Sequence, residues 1–152
     1  MYTEKELLEI AKEVISKNNH LNAKLGGSLM LYNMGINKHR DAADIDIICD
    51  DLCDDTKSER FPWTPQGFEL YDIDGILSCV SAMRFINSNG LRIKFMWGED
   101  IEKIINNIPC AELSQMILYK LMYSKHDITS ESRNKHLDDL IFLFVNNFNL
   151  KI

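Results

Sequence analysis

A glycine–serine turn followed by two closely spaced aspartates limits most strongly how this chain folds. The tripeptide Gly-Gly-Ser at 26–28 separates a short apolar segment from the helical pattern of residues 29–34. Further along, Asp44 and Asp46 flank one apolar residue, so the alternation of a β-strand places both on one face. A turn that opens a helix presents backbone N–H groups to phosphates, and paired carboxylates bind divalent metals. This combination predicts a metal-dependent nucleotidyl-transfer site.

Length and composition indicate one domain without a membrane segment. The 152 residues, of which 45% are hydrophobic, suffice for one core. The formal net charge of −6 argues against a general nucleic-acid coat and leaves room for a local basic groove. No apolar run reaches the roughly 18 residues of a membrane span, the first residues are polar, and the four cysteines lack C-x-x-C spacing. We therefore expect a cytoplasmic protein with reduced thiols.

The first hundred residues show the pattern of an α/β core. Thr3 and Glu6 predict a capping box at the start of a helix that ends near residue 18, and Gly35 ends the helix after the glycine turn. Residues 50–67 are rich in Asp, Pro and Lys and predict an irregular loop. Strands are predicted at 22–25, 44–49, 68–73, 77–86 and 91–97, with turns at Asp74-Gly75 and Asn89-Gly90.

From about residue 100 the apolar period changes to that of a helix. Ile101, Ile104 and Ile105 predict one short helix, which Pro109 interrupts. Two longer helices are predicted at about 111–124 and 132–148. The whole chain is therefore predicted to be one compact α+β unit. In it, residues 1–100 form a small mixed or antiparallel sheet flanked by helices, and residues 101–152 form a helical part packed on that core.

Nucleotidyl transfer explains why these residue types occur in this order. Its barrier is lowered mainly by positioning the phosphates and neutralising their charge. Asp44 and Asp46 are the natural ligands for Mg²⁺ or Mn²⁺. The turn at Gly27 and Ser28 would hold a triphosphate at the positive end of the following helix, and Arg40 would add a bidentate phosphate contact. Each element alone is common in ordinary turns and strands, and their order makes the prediction specific.

The same residues resemble the first motif of the nucleotidyltransferase superfamily, which has the fold of DNA polymerase beta. They are most similar to its AbiEii branch, the toxin-type enzymes of bacterial abortive-infection and toxin–antitoxin systems. That motif is Gly-Gly-Ser, a later Arg and then Asp-hydrophobic-Asp. The matching residues here are Gly26, Gly27, Ser28, Arg40, Asp44 and Asp46, and the gap between Ser28 and Asp44 is slightly longer than usual. The resemblance implies a nucleotide-binding transferase, with an antitoxin-type protein as candidate partner.

Further motifs of that branch occur in the second half of the chain. Lys120 matches a lysine on an apolar helix. Arg133, Lys135 and Asp139 match a later motif in which His136 replaces an acid. The resemblance implies catalytic roles for Lys120 and Asp139, and nucleotide contacts for Lys120, Arg133 and Lys135. The basic residues equally fit solvated helix faces, and Asp139 equally fits a buried structural partner of Lys120 or Arg133.

One position departs from the pattern, because Lys94 stands where the third carboxylate of the resembling family is expected. That acid helps to bind the metal next to the acceptor hydroxyl, so its loss affects transfer more than nucleotide binding. If the strand 91–97 neighbours the strand 44–49, Lys94 is expected to pair with Asp44 or Asp46 and to leave one magnesium site at most. Three acids from neighbouring strands are candidate substitutes: Glu69, Asp72 and Asp74.

Three functions are consistent with these observations. The preferred one is a nucleotidyltransferase that binds a magnesium nucleoside triphosphate and transfers a nucleoside monophosphate to a hydroxyl of an RNA end, a protein or a small molecule. The alternative, which Lys94 motivates, is a catalytically inactive member of the fold that acts as a regulatory or nucleotide- or partner-binding module. In the third, the motifs are coincidental and the chain is an ordinary α/β interaction domain.

Overall fold

The computed structural model describes residues 1–50, 62–73, 82–98 and 102–148. Within these ranges the chain forms four α-helices and seven β-strands. The helices are α1 (Glu4–Lys17), α2 (Gly27–Met34), α3 (Leu113–His126) and α4 (Ser130–Asn147). The strands are β1 (Lys24–Gly26), β2 (Ile45–Cys49), β3 (Glu69–Ile73), β4 (Ala82–Ile86), β5 (Arg92–Trp97), β6 (Lys103–Ile105) and β7 (Ile108–Cys110).

All seven strands form one mixed sheet in the order β3-β4-β5-β2-β1-β7-β6. The β2–β5 and β1–β7 pairs are parallel, and the other pairs are antiparallel. β1 and β2, which come from the two ends of the glycine–aspartate motif, are direct neighbours at the centre of the sheet. The prediction of an α+β fold with a mixed sheet and C-terminal helices is confirmed.

Local sequence signals account for the first two helices. The Thr3 side chain accepts a hydrogen bond from the Glu6 N–H and the Glu6 carboxylate accepts one from the Thr3 N–H, which completes the predicted capping box. α2 begins at Gly27 and ends at Met34, and the following Gly35, with a positive φ of 72°, supplies a left-handed C-cap. The predicted boundaries of both helices therefore agree with the structure to within two residues.

The core lies on one face of the central strands. Ile45 and Ile47 on β2 and Ile93 and Phe95 on β5 are fully buried, and α1 and α2 pack against β1 and β2. Alternation places the intervening residues on the opposite face. There the register aligns one charged residue from each of four neighbouring strands in a row across the sheet: Asp72, Arg84, Lys94 and Asp46.

α3 and α4 pack against each other and cover part of this charged face. The Tyr123 hydroxyl on α3 lies 3.5 Å from the sulfur of Met96 on β5, which places α3 over the β5 side of the row. The Thr129 side chain caps the start of α4 by accepting a hydrogen bond from the Ser132 N–H. In the part of the chain that the structure describes, no helix has the length and apolarity of a membrane span.

One predicted element is wrong: Ile104 and Ile105 belong to the β6–β7 hairpin, which joins the sheet at β1. Asn106 and Asn107 have positive φ angles of 53° and 63°, as a type I′ turn requires. In such a two-residue hairpin Pro109, opposite Ile104, occupies a pair without ladder hydrogen bonds, so its missing N–H is tolerated. Of the predicted helical part, the two longer helices are observed.

Two other predictions concern the connections between strands. The turn at Asn89-Gly90 is confirmed, since Gly90 has a φ of 82° and the Asn87 carbonyl accepts from the Gly90 N–H. Residues 62–67 lack helix and strand, as expected for the end of the predicted loop. Parts of three predictions lie outside the described residues: the loop at 51–61, the turn at Asp74-Gly75 with the start of its strand, and Ile101.

Candidate active site

A cavity of about 280 Å³ lies between the charged sheet face, the start of α2, the loop at 38–44 and the helices α3 and α4. Part of its lining is apolar and includes the buried residues Leu31, Met116 and Leu140. Polar residues that the sequence analysis selected from five separate segments also line it: Ser28, Arg40, Asp44, Asp46, Lys94, Lys120, Lys135 and Asp139. The fold therefore brings most of the predicted site into one concave surface.

Gly27 lies directly against the Asp46 carboxylate. The antiparallel register pairs Gly26 with Asp46, and a Cβ atom built on Gly27 would overlap Oδ2 of Asp46. Gly27 also has a φ of 64°, a conformation that favours glycine. The glycine turn is thus required both for the backbone path into α2 and for the position of an acidic side chain.

The two aspartates repel each other in the absence of a cation. Burial raises the pKa of Asp44 above its ordinary value, and the negative charge of Asp46 raises it further, against the opposing effect of Arg92, Lys94 and Lys135. No ion pair to Asp44 or Asp46 occurs among the described residues. This pair of carboxylates therefore favours a bound cation.

The donor set fits one divalent ion. Mg²⁺ is commonly held by one or two carboxylates, with waters and substrate phosphates completing its shell, and Asp44 and Asp46 provide two oxygen-ligand side chains on one cavity wall. Within the described ranges, no cluster of three or more His, Cys, Asp or Glu side chains has metal-binding geometry. Asp44 and Asp46 would thus hold the ion, and a nucleotide would supply further oxygens.

Lys94 lies beside this pair, as predicted, because β5 and β2 are neighbours and align Lys94 with Asp46. Burial lowers the pKa of Lys94, but the charges of Asp46, Tyr123 and Asp44 outweigh that effect and raise it above the ordinary value. The expected ion pair is not formed in the described residues. The Lys94 ammonium instead lies 5.4 Å from the centre of the Tyr123 ring, in a cation–π contact.

Of the candidate substitutes for the third carboxylate, the two that the structure describes do not reach this site. Asp72 pairs with Arg84 at 2.8 Å and lies three strands from Asp46, about 14 Å at the usual strand spacing. Glu69 is exposed on the edge strand β3, paired in register with Ile86. Asp74 lies outside the described residues. Lys94 is therefore the charged side chain that the sheet places next to Asp46.

On the opposite wall, Asp139 joins two cations. Arg40 donates from Nε and Nη2 to its two oxygens, at 3.2 and 2.5 Å, and Lys120 donates to Oδ2 at 2.9 Å. Burial would raise the pKa of Asp139, but the hydrogen bonds and charges of Arg40 and Lys120 lower it below the ordinary value. Asp139 therefore pairs with Lys120, which agrees with the structural alternative, while its catalytic role stays a prediction.

Lys135 completes the basic side of the cavity. Burial lowers its pKa, and the nearby charges of Arg40 and Lys120 lower it further, because the three cations repel one another. Asp139 and Asp44 offset this only in part. A polyphosphate would relieve the repulsion, so this wall is suited to an anionic ligand.

His136, which replaces a motif acid, has a structural setting that the sequence did not reveal. Its Nδ1 lies 3.3 Å from the Lys120 ammonium and its Nε2 lies 3.5 Å from the Asp127 carboxylate, while its ring stacks on Tyr123 at 5.1 Å. Because an ammonium only donates, Nδ1 accepts and Nε2 carries the proton. Burial, followed by the charge of Lys120, lowers the pKa of His136 to about 4, so the ring is neutral at pH 7.

Sequence reasoning missed the residues that hold the loop at 38–44 in place. Glu4 at the start of α1 accepts a hydrogen bond from the Ala42 N–H and pairs with Lys38 at 2.5 Å. On the other side, Asn147 of α4 bonds both backbone groups of Asn37 at 2.9 Å. These contacts join residues far apart in the chain, and no local pattern marks them.

Arg133 is the predicted nucleotide-binding side chain that does not line the cavity, and Gly26 and Gly27 lie beside the cavity wall at Asp46 without lining it themselves. The Arg133 Nη1 donates to the carbonyl oxygens of Asp127 and Ile128, at 2.6 and 3.1 Å. These bonds fasten the turn between α3 and α4. Arg133 thus supports the helices that carry Lys120 and Asp139, and its contact with a nucleotide stays a prediction.

Two solved structures from Helicobacter pylori are similar to this chain. One is JHP933, at 19% identity over 92% of this chain and 64% of its own, with a TM-score of 0.52. The other is described as a proposed nucleotidyltransferase, at 20% identity over 92% of this chain and 66% of its own, with a TM-score of 0.52. The chain thus spans just under two thirds of their length. No protein-family model and no curated sequence matches it.

This likeness defines the class of the fold. The mixed sheet with its flanking helices is nucleotidyltransferase-like, in agreement with the superfamily that the motifs resemble. The AbiEii branch is not confirmed by these comparisons and stays a prediction.

Proposed function

We propose that this protein binds a nucleoside triphosphate together with a divalent cation in the cavity and transfers a nucleoside monophosphate to a hydroxyl group. One observation supports this most directly. Asp44 and Asp46, without an ion-pair partner in the described residues, lie beside the glycine turn on one wall, and the cations Arg40, Lys120 and Lys135 line the same cavity. A triphosphate chelated by one ion presents charges that match both walls.

Each wall would have its own role. Asp44 and Asp46 would hold Mg²⁺ or Mn²⁺, and this ion would neutralise phosphate charge and orient the nucleotide. The N–H groups and the Ser28 hydroxyl at the start of α2 would donate hydrogen bonds to phosphate oxygens. Lys120 and Lys135 would bind the other phosphates, and Arg40 would exchange its contact with Asp139 for a phosphate. The apolar part of the lining is suited to the base or sugar.

The reaction requires one bond to form and one to break. The acceptor oxygen bonds to the α-phosphorus, the bond between that phosphorus and the oxygen bridging to the β-phosphate breaks, and pyrophosphate leaves with the electron pair. The acceptor proton passes to solvent. The cavity residues contribute by fixing the phosphates in line and offsetting the charge that moves toward the leaving group.

A second candidate is a nucleotide-binding module that does not transfer. Lys94 favours it, because the ammonium stands beside Asp46 where the resembling enzymes have a third acid. The AbiEii resemblance adds an antitoxin-type protein partner, which we also propose, together with the cytoplasmic location that the sequence predicts and an acceptor hydroxyl on RNA, protein or a small molecule. Expression in a bacterial host tests the toxin role, since wild type is expected to arrest growth and Asp46→Asn is not. Equal growth of both strains would contradict it.

The decisive assay uses triphosphates labelled at the α-phosphate, each incubated with protein and Mg²⁺ or Mn²⁺ in the presence of cellular RNA or protein. Transfer is expected to release pyrophosphate and label an acceptor in wild type, and Asp46→Asn is expected to abolish both. Asp138→Asn, an exposed acid on α4, is the matched control. Calorimetry with each triphosphate separates the two candidates, because a binding module retains the nucleotide without product. Absence of metal-dependent binding would contradict both.

A further inference from the structure

Lys94 occupies a fixed position in the charged row of the sheet. Parallel pairing aligns it with Asp46, and antiparallel pairing aligns it with Arg84 on its other side. Side chains paired in this way share one face and have Cβ atoms about 5 Å apart. The row therefore places an ammonium within one strand spacing of a predicted metal ligand.

The two cations of the row have different partners. Arg84 is neutralised by Asp72, at 2.8 Å. Lys94 has no ion pair within the described parts of the chain, lines the cavity and is held against the Tyr123 ring. That ring is itself fixed, because it is buried and stacks on His136. The Lys94 charge is thus available to the two aspartates and to a ligand in the cavity.

Charge and space both limit the number of ions beside it. Two divalent ions that act together on a phosphoryl group lie about 3.5–4 Å apart and are usually shared by carboxylates. Asp44 and Asp46 carry two negative charges and Lys94 carries one positive charge. With one divalent ion bound, the cluster has a net charge of about +1. A second ion on the Lys94 side of Asp46 would meet the ammonium at close range, and the residues that the structure describes provide no third carboxylate there to bind it.

We propose that the Lys94 ammonium takes the place of a second divalent ion, so that the site binds one such ion per nucleoside triphosphate and Lys94 donates a hydrogen bond to the nucleotide's phosphate. This inference rests on the proposed function and adds the metal stoichiometry and a further phosphate ligand. An ammonium is a compact charge with three donors, suited to a phosphate oxygen that a metal ion would otherwise contact.

Metal stoichiometry tests the proposal without reference to activity. Mn²⁺ binding is measured by electron paramagnetic resonance of the free ion, with and without the α,β-methylene analogue of each triphosphate. The wild type is expected to bind one Mn²⁺ per analogue. Lys94→Glu, which adds a carboxylate beside Asp46, is expected to bind two, and Lys94→Met is expected to bind the analogue about tenfold more weakly because a charge-assisted hydrogen bond is lost.

Lys103→Glu and Lys103→Met are the matched controls, since Lys103 is exposed on β6 at the far edge of the sheet. Thermal unfolding verifies that each variant folds, and in Lys94→Glu the melting temperature is expected to fall in chelator and recover with Mn²⁺. Two Mn²⁺ in the wild type with the analogue bound, or one in both the wild type and Lys94→Glu, would overturn this inference and leave the proposed function standing. No Mn²⁺-dependent analogue binding by the wild type would overturn both.

Discussion

The two walls of the cavity differ in whether their acidic side chains are paired with cations. On the sheet wall, Asp44 and Asp46 face each other's negative charge, and the raised pKa of Asp44 reflects burial and that repulsion. The opposite wall, here called the helix wall, consists of Arg40, Lys120, Lys135 and Asp139. There Asp139 accepts hydrogen bonds from Arg40 and Lys120, and its pKa is lowered. The sheet wall is therefore electrostatically incomplete without a cation, whereas on the helix wall the acid is paired and the charge in excess is positive.

Because of this difference, substitutions on the two walls are expected to affect different properties, ligand binding on one wall and folding stability on the other. Removing one of the two carboxylate charges from the sheet wall relieves their mutual repulsion in the free protein, so it is expected to affect the ligand and leave folding intact. Removing a charge from the helix wall leaves other charges unpaired, so it is expected to affect folding first. Single substitutions on the two walls can test the contrast.

The largest effect is expected from Asp46→Asn. Loss of a residue that hydrogen-bonds to a metal ligand typically lowers metal affinity about 10- to 100-fold. Loss of a ligand itself is therefore expected to lower metal-dependent nucleotide affinity by at least about 100-fold. Stability in chelator is expected to be unchanged or slightly higher, because one of two like charges is removed. Calorimetry with Mg²⁺ and each triphosphate, together with thermal unfolding, measures both. An unfolded variant would show that the carboxylate is structural.

The second substitution, Gly27→Val, is expected to damage the sheet wall through geometry. A valine there adopts a φ of 64° and pushes its Cβ into the Asp46 carboxylate, so we expect a stability loss of roughly 2–4 kcal/mol and severely weakened triphosphate binding. Gly35→Val is a close control, because Gly35 has a φ of 72° and open space around it. Equal triphosphate affinity in the two variants would remove the phosphate-turn assignment.

The sheet wall was predictable because its geometry is local. The period of two in a strand places Asp44 and Asp46 on one face, and a Gly-Gly-Ser turn carries its own conformational requirement. The neighbouring strand at Lys94 followed from topology, which the resemblance supplied and the register confirms. The hairpin at 103–110 was missed because a short apolar run fits a helix and a strand equally well, and only the Asn106-Asn107 turn distinguishes them.

The residues of the helix wall were predictable from the sequence, but the contacts between them were not. The motif match selected Lys120, Lys135 and Asp139, but which cation each acid pairs with depends on how α3 packs on α4. Arg40 reaches Asp139 across 99 positions of sequence, and no periodicity encodes such a contact. Arg133 matches the motif as well as Lys135 does, yet it bonds backbone carbonyls of a turn.

Asp139→Asn tests the helix wall directly. It keeps the shape of the side chain and leaves Arg40, Lys120 and Lys135 without their shared anion, so we expect a stability loss of about 1–3 kcal/mol. Inorganic phosphate is expected to raise the melting temperature of this variant more than that of the wild type, because it replaces the missing charge. Asp138→Asn is the exposed neighbour for comparison. A variant as stable as the wild type that loses all transfer would instead give Asp139 the catalytic role that the resemblance implies.

The smallest expected effect is the pH dependence of stability that His136 contributes on the helix wall. The pKa of His136 is lowered from 6.5 to about 4, so between these values the unfolded chain binds a proton that the folded protein does not. Stability is then expected to fall as the pH drops from about 6.5 toward 4, and to be independent of this group above 6.5. The shift sets an upper limit of roughly 3 kcal/mol.

The raised pKa of Asp44 acts in the opposite sense, so the wild-type curve alone does not isolate the histidine. Urea unfolding of wild type and His136→Gln across this range separates the two, because the glutamine variant is expected to lose the slope. An unchanged slope would show that His136 has the same pKa in the folded and unfolded states, so that neither burial nor the Lys120 charge favours its neutral form.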